Sequence, residues 1–368
     1  MTQRFFVCPC GGAEQSRARR DRTDRLLSGA SCTHQRESGS AVGDWTRQPG
    51  TSAEQQRLMA VVARLYHVHG VRQRTIAERL DMSQARVSRL LRQAEDYGII
   101  RTVLVVPDGL HPDLEDRLEH AYGLVEAHVV DVPGGDEAVP QTLGAAAARY
   151  LAGATVSGAV VGFTSWSTTL QEMTLGLQGL PRSGTTHVVE MLGDLGSPPL
   201  QHQAAQATQR LAEALGAEPV YLRTPGIARG PVARELALQD AHVQHALRLL
   251  DRLDVAFVGI GPSAVHSSLR EGDNFFTSEQ LAAVRSEGAV GQLNQRFVDG
   301  QGKPVETALD DLVVGVSLCQ LRRARRRIVV AGGSSKHDAL AAALAGGWVD
   351  VLMTDRTTAN HLVSRLPA

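Results

Sequence analysis

The sequence predicts an α/β protein in two parts, a small helical region followed by a mostly parallel, doubly wound sheet. Three observations predict it. Apolar residues recur at helical spacing from Leu58 to Ala94. Beyond residue 157, short apolar runs alternate with Ala- and Leu-rich helical patterns, as buried parallel strands and their crossover helices do. The charge is also unevenly divided, although the 368 residues sum to only −1. Residues 54–101 hold nine Arg against five acids and residues 1–53 eight against five, which leaves the rest acidic by about eight charges.

The first helix is expected from Arg57 to Val68, where Leu58, Val61, Val62, Leu65 and Tyr66 share a face and Gly70 ends the run. The stretch "TIAERLDMSQARVSRLLRQAEDYGI", Thr75 to Ile99, holds two more. Ile76, Ala77 and Leu80 precede a break at Asp81-Met82-Ser83, and Val87, Leu90, Leu91 and Ala94 follow it. Ser83 suits the N-cap, because its hydroxyl accepts from the free amides of the first turn. Gly98 stops the third helix, and "IIRTVLVV" is β-branched enough for a strand. Three helices and a strand make a winged helix-turn-helix over residues 54–107, and the helix opening at Ser83 would be its recognition helix. Ser83, Gln84, Arg86, Ser88 and Arg89 are then expected to meet double-stranded DNA. The first residues of such a helix reach base edges, and flanking cations neutralise phosphates. A solvated charged face is the better account of a lone Arg-rich helix. The three-helix setting and the wing favour DNA.

Residues 1–53 are Arg-, Gly- and Ser-rich with little periodicity, and are expected to form a disordered extension. Cys8, Cys10, Cys32 and His34 invite a zinc reading. The pair Cys8 and Cys10 is closer than the spacing of about two to four residues that structural zinc prefers, so no metal is expected. Four cysteines, three of them in this extension, make no disulfide framework for so long a chain. No run reaches the roughly eighteen apolar residues of a membrane span, and the N-terminus lacks a secretory layout. A cytoplasmic protein without a membrane partner is the expectation.

Residues 108–368 carry the sheet. After a short helix at Asp113 to Tyr122, strands are predicted at 158–163, 187–192, 218–222, 254–261, 327–333 and 349–354. Such Rossmann-like sheets bind ligands beyond the carboxyl ends of their strands. Thr164-Ser165-Trp166-Ser167-Thr168-Thr169 follows the first strand, and Gly332-Gly333-Ser334-Ser335-Lys336 follows the fifth. Hydroxyl- and Gly-rich turns that open a helix offer free amides to an anion. Lys336 is one of two lysines among 38 basic residues, a compact charge suited to phosphate. The plain alternative is an N-capped helix with a solvated lysine. "GIGPSA" at 259–264 fits only the weakest dinucleotide fingerprint, and Pro262 removes an amide that a pyrophosphate would want, so no cofactor is expected.

Taken together, these motifs closely resemble the SorC family of sugar-responsive bacterial transcription regulators over about residues 54 to 366. The resemblance rests on "IAERLDMSQARVSRLLRQAEDYGII", "GFTSWSTTL", "VVEMLGDLGSP", "VGIGP", "LREGDNF", "GAVGQ", "VVAGGSSKHDALAAAL" and "GGWVDVLMTD". It implies an effector domain related to sugar-phosphate isomerases, a phosphorylated sugar as effector, and a homodimer or homotetramer. Carried over by motif, Thr164, Ser165 and Thr168, Gln203, Arg270, and Gly332, Gly333 and Lys336 would surround that effector. Many members have an acid after "GAVG"; here Gln292 stands in its place, which leaves the sugar open.

Two functions are expected to compete. The first is a DNA-binding regulator without catalytic activity, whose operator binding a phosphorylated sugar controls. The second is a phosphosugar isomerase- or deaminase-like enzyme with an appended DNA-binding domain. The enzyme would need a placed general base and a ring-opening acid. His202, Asp194, Asp273 and His337 are its candidates, and they fall in no recognisable arrangement.

Overall fold

The computed structural model describes residues 52–100, 109–153, 158–178, 180, 184–264 and 274–366. The chain divides into two compact units, one up to Val105 and one from Val106 onward.

Among its described residues the first unit has three α-helices. Helix α1, Ala53–Ala63, starts where the side chain of Ser52 accepts from the Gln55 amide, and it continues as a π-helical turn, Arg64–Val68. This start lies four residues before the periodicity shows it, because the first turn is polar. Helix α2, Gln73–Arg79, and helix α3, Gln84–Asp96, are separated by a tight turn in which Asp81 has φ 50°. Ser83 caps α3 by accepting from the Arg86 amide at 3.3 Å. Met59, Val62, Ile76, Val87, Leu90 and Ala94 close a small core. Gly98, with φ 68°, ends α3 in the left-handed conformation that glycine adopts at low cost. Most of the strand expected after it lies outside the described residues.

The second unit is built on strands β1 Glu126–Val130, β2 Val160–Phe163, β3 His187–Glu190, β4 Glu218–Val220, β5 Val255–Phe257, β9 Arg326–Val330 and β10 Val351–Asp355. They form a seven-stranded sheet in the order β1-β10-β9-β5-β2-β3-β4, parallel throughout. Adjacent residues feed opposite faces. Val161, Val188, Ile328 and Val351 join one core with helices α5, Val139–Gly153, α6, Thr168–Leu175, and α7, Pro198–Leu215. Val160, Val189, Val329 and Leu352 join the other, with helices α9, Ala241–Leu250, α12, His337–Ala345, and α13, Arg356–Ser364. Burial on both faces is why these strands read as unbroken apolar runs. Each fully buried Val or Leu contributes about 1.5–3 kcal/mol, so a charge at Val329 would disrupt the sheet.

Two features depart from the expected pattern. Strand β1 is an additional edge strand, Glu126–Val130, that pairs with β10. The run 254–261 is not one strand. It breaks after Phe257, and β6, Ile260–Pro262, joins β7, Gly291–Leu293, and β8, Arg296–Val298, in a separate antiparallel sheet. Gly261 pairs with Gln292 and Pro262 with Gly291, so the ladder uses the backbone that a dinucleotide fingerprint would offer to pyrophosphate. Gly259 serves packing instead, since a Cβ there would lie 2.5 Å from Cγ2 of Thr164.

The chain leaves β2 outward to β3 and β4, and leaves β5 the other way to β9 and β10. The strand order therefore reverses between β2 and β5. A crevice opens at such a point beyond the strands' carboxyl ends.

Candidate functional site

A cavity of about 550 Å³ occupies this crevice. Its wall comes from the loops after β2, β5 and β9, from the β7–β8 hairpin, and from Asp136 and Leu200.

The loop after β2 is held by its own hydroxyls. Thr164 is buried, accepts from the Gly259 amide at 2.9 Å, and lies 2.9 Å from both the Phe257 carbonyl and Oδ1 of Asn294. Ser167 caps α6 by accepting from the Leu170 amide, and exposed Thr168 lines the cavity. Ser165 is placed differently from the expectation. It is buried beneath the loop with no partner for its hydroxyl, and it does not form part of the wall.

The loop after β9 is the polar end of the cavity. A Cβ on Gly332 would lie 2.1 Å from Oδ2 of Asp355, so only glycine fits there. Gly333, with φ 87°, donates its amide to Asp355 at 2.9 Å and to Thr358 at 3.1 Å. Ser334 donates its amide to Asp136 at 2.9 Å, and its hydroxyl to the same oxygen. The amides of Gly333 and Ser334, expected to be open to an anion, are therefore already engaged by carboxylates. Lys336 is mostly buried in the wall and has no ion-pair partner among the described residues. Burial without a counter-charge draws its pKa below the ordinary lysine value.

The β7–β8 hairpin supplies amides. Its two-residue turn places Asn294 at φ 49° and Gln295 at φ 63°, the conformation of a tight hairpin turn but a costly one for glutamine. Gln292 holds the turn by accepting from the Gln295 amide at 2.7 Å. Asn294 is 2% exposed, and the end of its side-chain amide away from Thr164 is buried without a partner. Trp166, Leu192, Leu195, Ile260 and Phe275 make the remaining wall apolar.

Of the nine residues expected around an effector, the cavity brings together Thr164, Thr168, Gln292, Gly332, Gly333 and Lys336. Gln203 is exposed on α7, and Leu200 is the α7 residue in the wall. Arg270 lies outside the described residues, as do Asp273 and the Cys8, Cys10, Cys32 and His34 set. The other acid–base candidates are elsewhere. Asp194 pairs with Arg223 at 3.3 Å, His202 contacts Gln206, and His337 stacks on His361 at 4.2 Å. In the first unit, Ser83, Gln84, Arg86, Ser88 and Arg89 are all exposed, and Arg86 and Arg89 have no carboxylate partner among the described residues.

A family model described as "Putative sugar-binding domain" matches residues 110–364, which contain the whole cavity. The deoxyribonucleoside regulator of Bacillus subtilis (strain 168) is 32% identical over 315 residues, covering 85% of this chain and 99% of the relative. The sorbitol operon regulator of Klebsiella pneumoniae is 28% identical over 315 residues, covering 83% and 98%. The crystal structure of that full-length regulator, SorC, aligns with a TM-score of 0.64 at 26% identity, covering 84% of this chain and 100% of that one. The chain belongs to the SorC family of sugar-responsive transcriptional regulators. These relatives carry the names of regulators rather than of enzymes. Among the described residues no helix is long and apolar enough to cross a membrane.

Three wall residues of this SorC-family chain escaped the sequence reading. Asp136 follows a Gly-Gly turn and shows no motif. Leu200 reads as one more apolar residue of an amphipathic helix. Asn294 had a signal, because Asn favours a left-handed turn, but Gln at the next position hides the hairpin where Gly would announce it.

Proposed function

We propose that this regulator reads a double-stranded DNA operator through helix α3 of a winged helix-turn-helix, and that a phosphorylated sugar in the cavity controls that binding. Lys336 carries the effector half of the reading. It is a cation in a largely apolar wall, it lacks a counter-charge, and it stands beside a loop that already holds carboxylates. A dianionic phosphate would relieve that imbalance through charge-assisted hydrogen bonds. Gln292 and Asn294 would face the sugar's hydroxyls, and Arg270 and Thr168 would complete the site. The DNA half rests on the unpaired cations of α3 and on the charge concentrated in residues 54–101.

No catalytic step is assigned. Among the described residues no histidine lines the cavity, and the one carboxylate that does, Asp136, is engaged by Ser334. The regulator names of the relatives and the match to a sugar-binding domain support a binding site over an enzyme. The relatives are named a deoxyribonucleoside regulator and a sorbitol operon regulator, so nucleoside- and polyol-derived sugars belong among the compounds to test. A thermal-shift screen of the full chain against paired free and phosphorylated sugars tests the reading, because a ligand of the native state raises the melting temperature by mass action. One phosphorylated sugar should stabilise and its free form should not. A helix-turn-helix commonly reads two half-sites about 34 Å apart through a symmetric assembly, so a cytoplasmic homodimer or homotetramer is part of the proposal.

A further inference from the structure

We propose that Asp136 is a built-in competitor for the effector's phosphate, seated on the donors of Ser334 and displaced when effector binds. The proposal rests on the phosphate reading above and adds what occupies the seat beforehand.

Two carboxylates hold the loop after β9, and they differ in kind. Asp355 is 3% exposed, caps α13 by accepting from the Thr358 amide at 2.8 Å, and also accepts from Thr358's hydroxyl. It is a fixed support beneath the loop, holding the Gly333 amide. Asp136 is exposed, on the 3-10 turn Asp136–Ala138 between β1 and α5. Its hydrogen bonds come from one residue, the amide and hydroxyl of Ser334. Those two donors hold its carboxyl below the usual aspartate range. The carboxylate lies over Gly333, where a Cβ would stand 3.6 Å from its Cγ. It therefore occupies the loop as an external anion would.

The rest of the cavity is arranged for a ligand that the chain does not supply. Lys336 lines the same wall without a partner, and Asn294, nearly fully buried, keeps one end of its amide unpaired. A carboxylate has two oxygens and one charge, and here it satisfies Ser334 without pairing with Lys336. A phosphate has three terminal oxygens and about two charges, enough to take the Ser334 donors and the ammonium together. It cannot share them with Asp136, because two anions on one loop repel. The chain thus lowers its own affinity for any phosphorylated ligand and stays closed to weak anions.

Inorganic phosphate titrated into the full chain by calorimetry tests this without knowing the sugar. Asp136→Asn keeps the shape and removes the charge, and Asp136→Ala serves if the first variant folds poorly. Either should bind phosphate about tenfold tighter than wild type, and Lys336→Ala should bind it at least tenfold weaker. If Lys336→Ala weakens phosphate while both Asp136 variants bind no tighter than wild type, the competitor role is wrong and the phosphate site stands. If none of the variants changes phosphate binding, both the competitor and the site are wrong.

Discussion

Thr164 and Asn294 meet side chain to side chain across the cavity floor, with the Thr164 hydroxyl oxygen 2.9 Å from the Asn294 amide. The hydroxyl has one proton and two acceptors in reach, the other being the Phe257 carbonyl. If the proton goes to Asn294, Nδ2 is left unpaired; if it goes to Phe257, the amide turns and its oxygen is left unpaired. Either way one polar end is buried without a partner among the described residues. Asn294→Gly keeps the positive φ that the turn needs. It should weaken effector binding by the worth of one neutral hydrogen bond, about 0.5–1.5 kcal/mol, or roughly twofold to tenfold. Calorimetry with the effector checks this, and unchanged affinity would assign Asn294 to the turn alone.

Helix α3 can be tested independently of the effector. Arg86→Ala or Arg89→Ala should cost about 1–3 kcal/mol for each lost base contact and relax the sequence preference. An arginine that meets only phosphate should instead lower the salt dependence at constant preference. Anisotropy titrations of operator DNA at several salt concentrations separate the two. Wild-type affinity in both variants would remove α3 from the interface.

Glu190 is the buried carboxylate at the end of β3. It accepts from the Leu222 amide at 3.0 Å and from the Thr208 hydroxyl at 3.0 Å, yet burial raises its pKa above the ordinary glutamate value. A raised folded pKa contributes stability below the unfolded value and loses it as the pH rises through the folded one. Glu190→Gln should therefore match or exceed wild-type stability at pH 7, and the gap should close on acidification. The glutamine oxygen can accept from Leu222 while its nitrogen donates to Thr208, which in turn donates to the Ala204 carbonyl. Glu190→Leu strands the Leu222 amide and should cost about 1–3 kcal/mol. Denaturant melts of both variants across pH check the signs.

Behind the loop after β9, His337 contacts Thr358 at 3.2 Å and stacks on His361. Burial, then the neighbouring imidazole, holds His337 below its usual pKa, against the opposing pull of Asp355, Asp136 and Asp338. A depressed histidine stabilises the fold fully above about pH 6.5, and that contribution falls as the pH drops through this value towards the lowered one. That contribution should decline from pH 7.5 to pH 5.5, so the slope of stability against pH over this interval should differ between wild type and His337→Gln. An equal slope in the variant would place the titrating group elsewhere.

The sheet was legible because burial on both faces leaves apolar runs, as at Val160–Phe163 and over the first three residues of Val351–Asp355. Strand β1 was not, because Glu126 and His128 alternate with buried Ala127 and Val129, which leaves no unbroken apolar run, and the strand has a neighbour on one side only. The small antiparallel sheet hid within "VGIGP", where one apolar run feeds two sheets through Gly259. Loop positions after the strands could be read from Gly and hydroxyl residues, so Thr164, Thr168, Gly332, Gly333 and Lys336 were legible as members of the loops that line the cavity. The role of Asp136 depends on a contact across 198 residues of sequence, which no local pattern records. Gln203 stands three residues beyond Leu200 on α7, and there the side chain is exposed while Leu200 lines the cavity.

The central claim is that Lys336 receives the effector's phosphate. The direct measurement is release or tightening of operator DNA by the phosphorylated sugar, compared between wild type and Lys336→Ala. Hydrogen bonds to a charged partner contribute about 1.5–3 kcal/mol, so the variant should need roughly tenfold to hundredfold more effector. Its operator affinity without effector should match wild type, and its melting temperature should equal or exceed wild type, since removing a buried cation that has no partner breaks no contact and relieves its desolvation. An effector response in Lys336→Ala at wild-type concentrations would contradict the account.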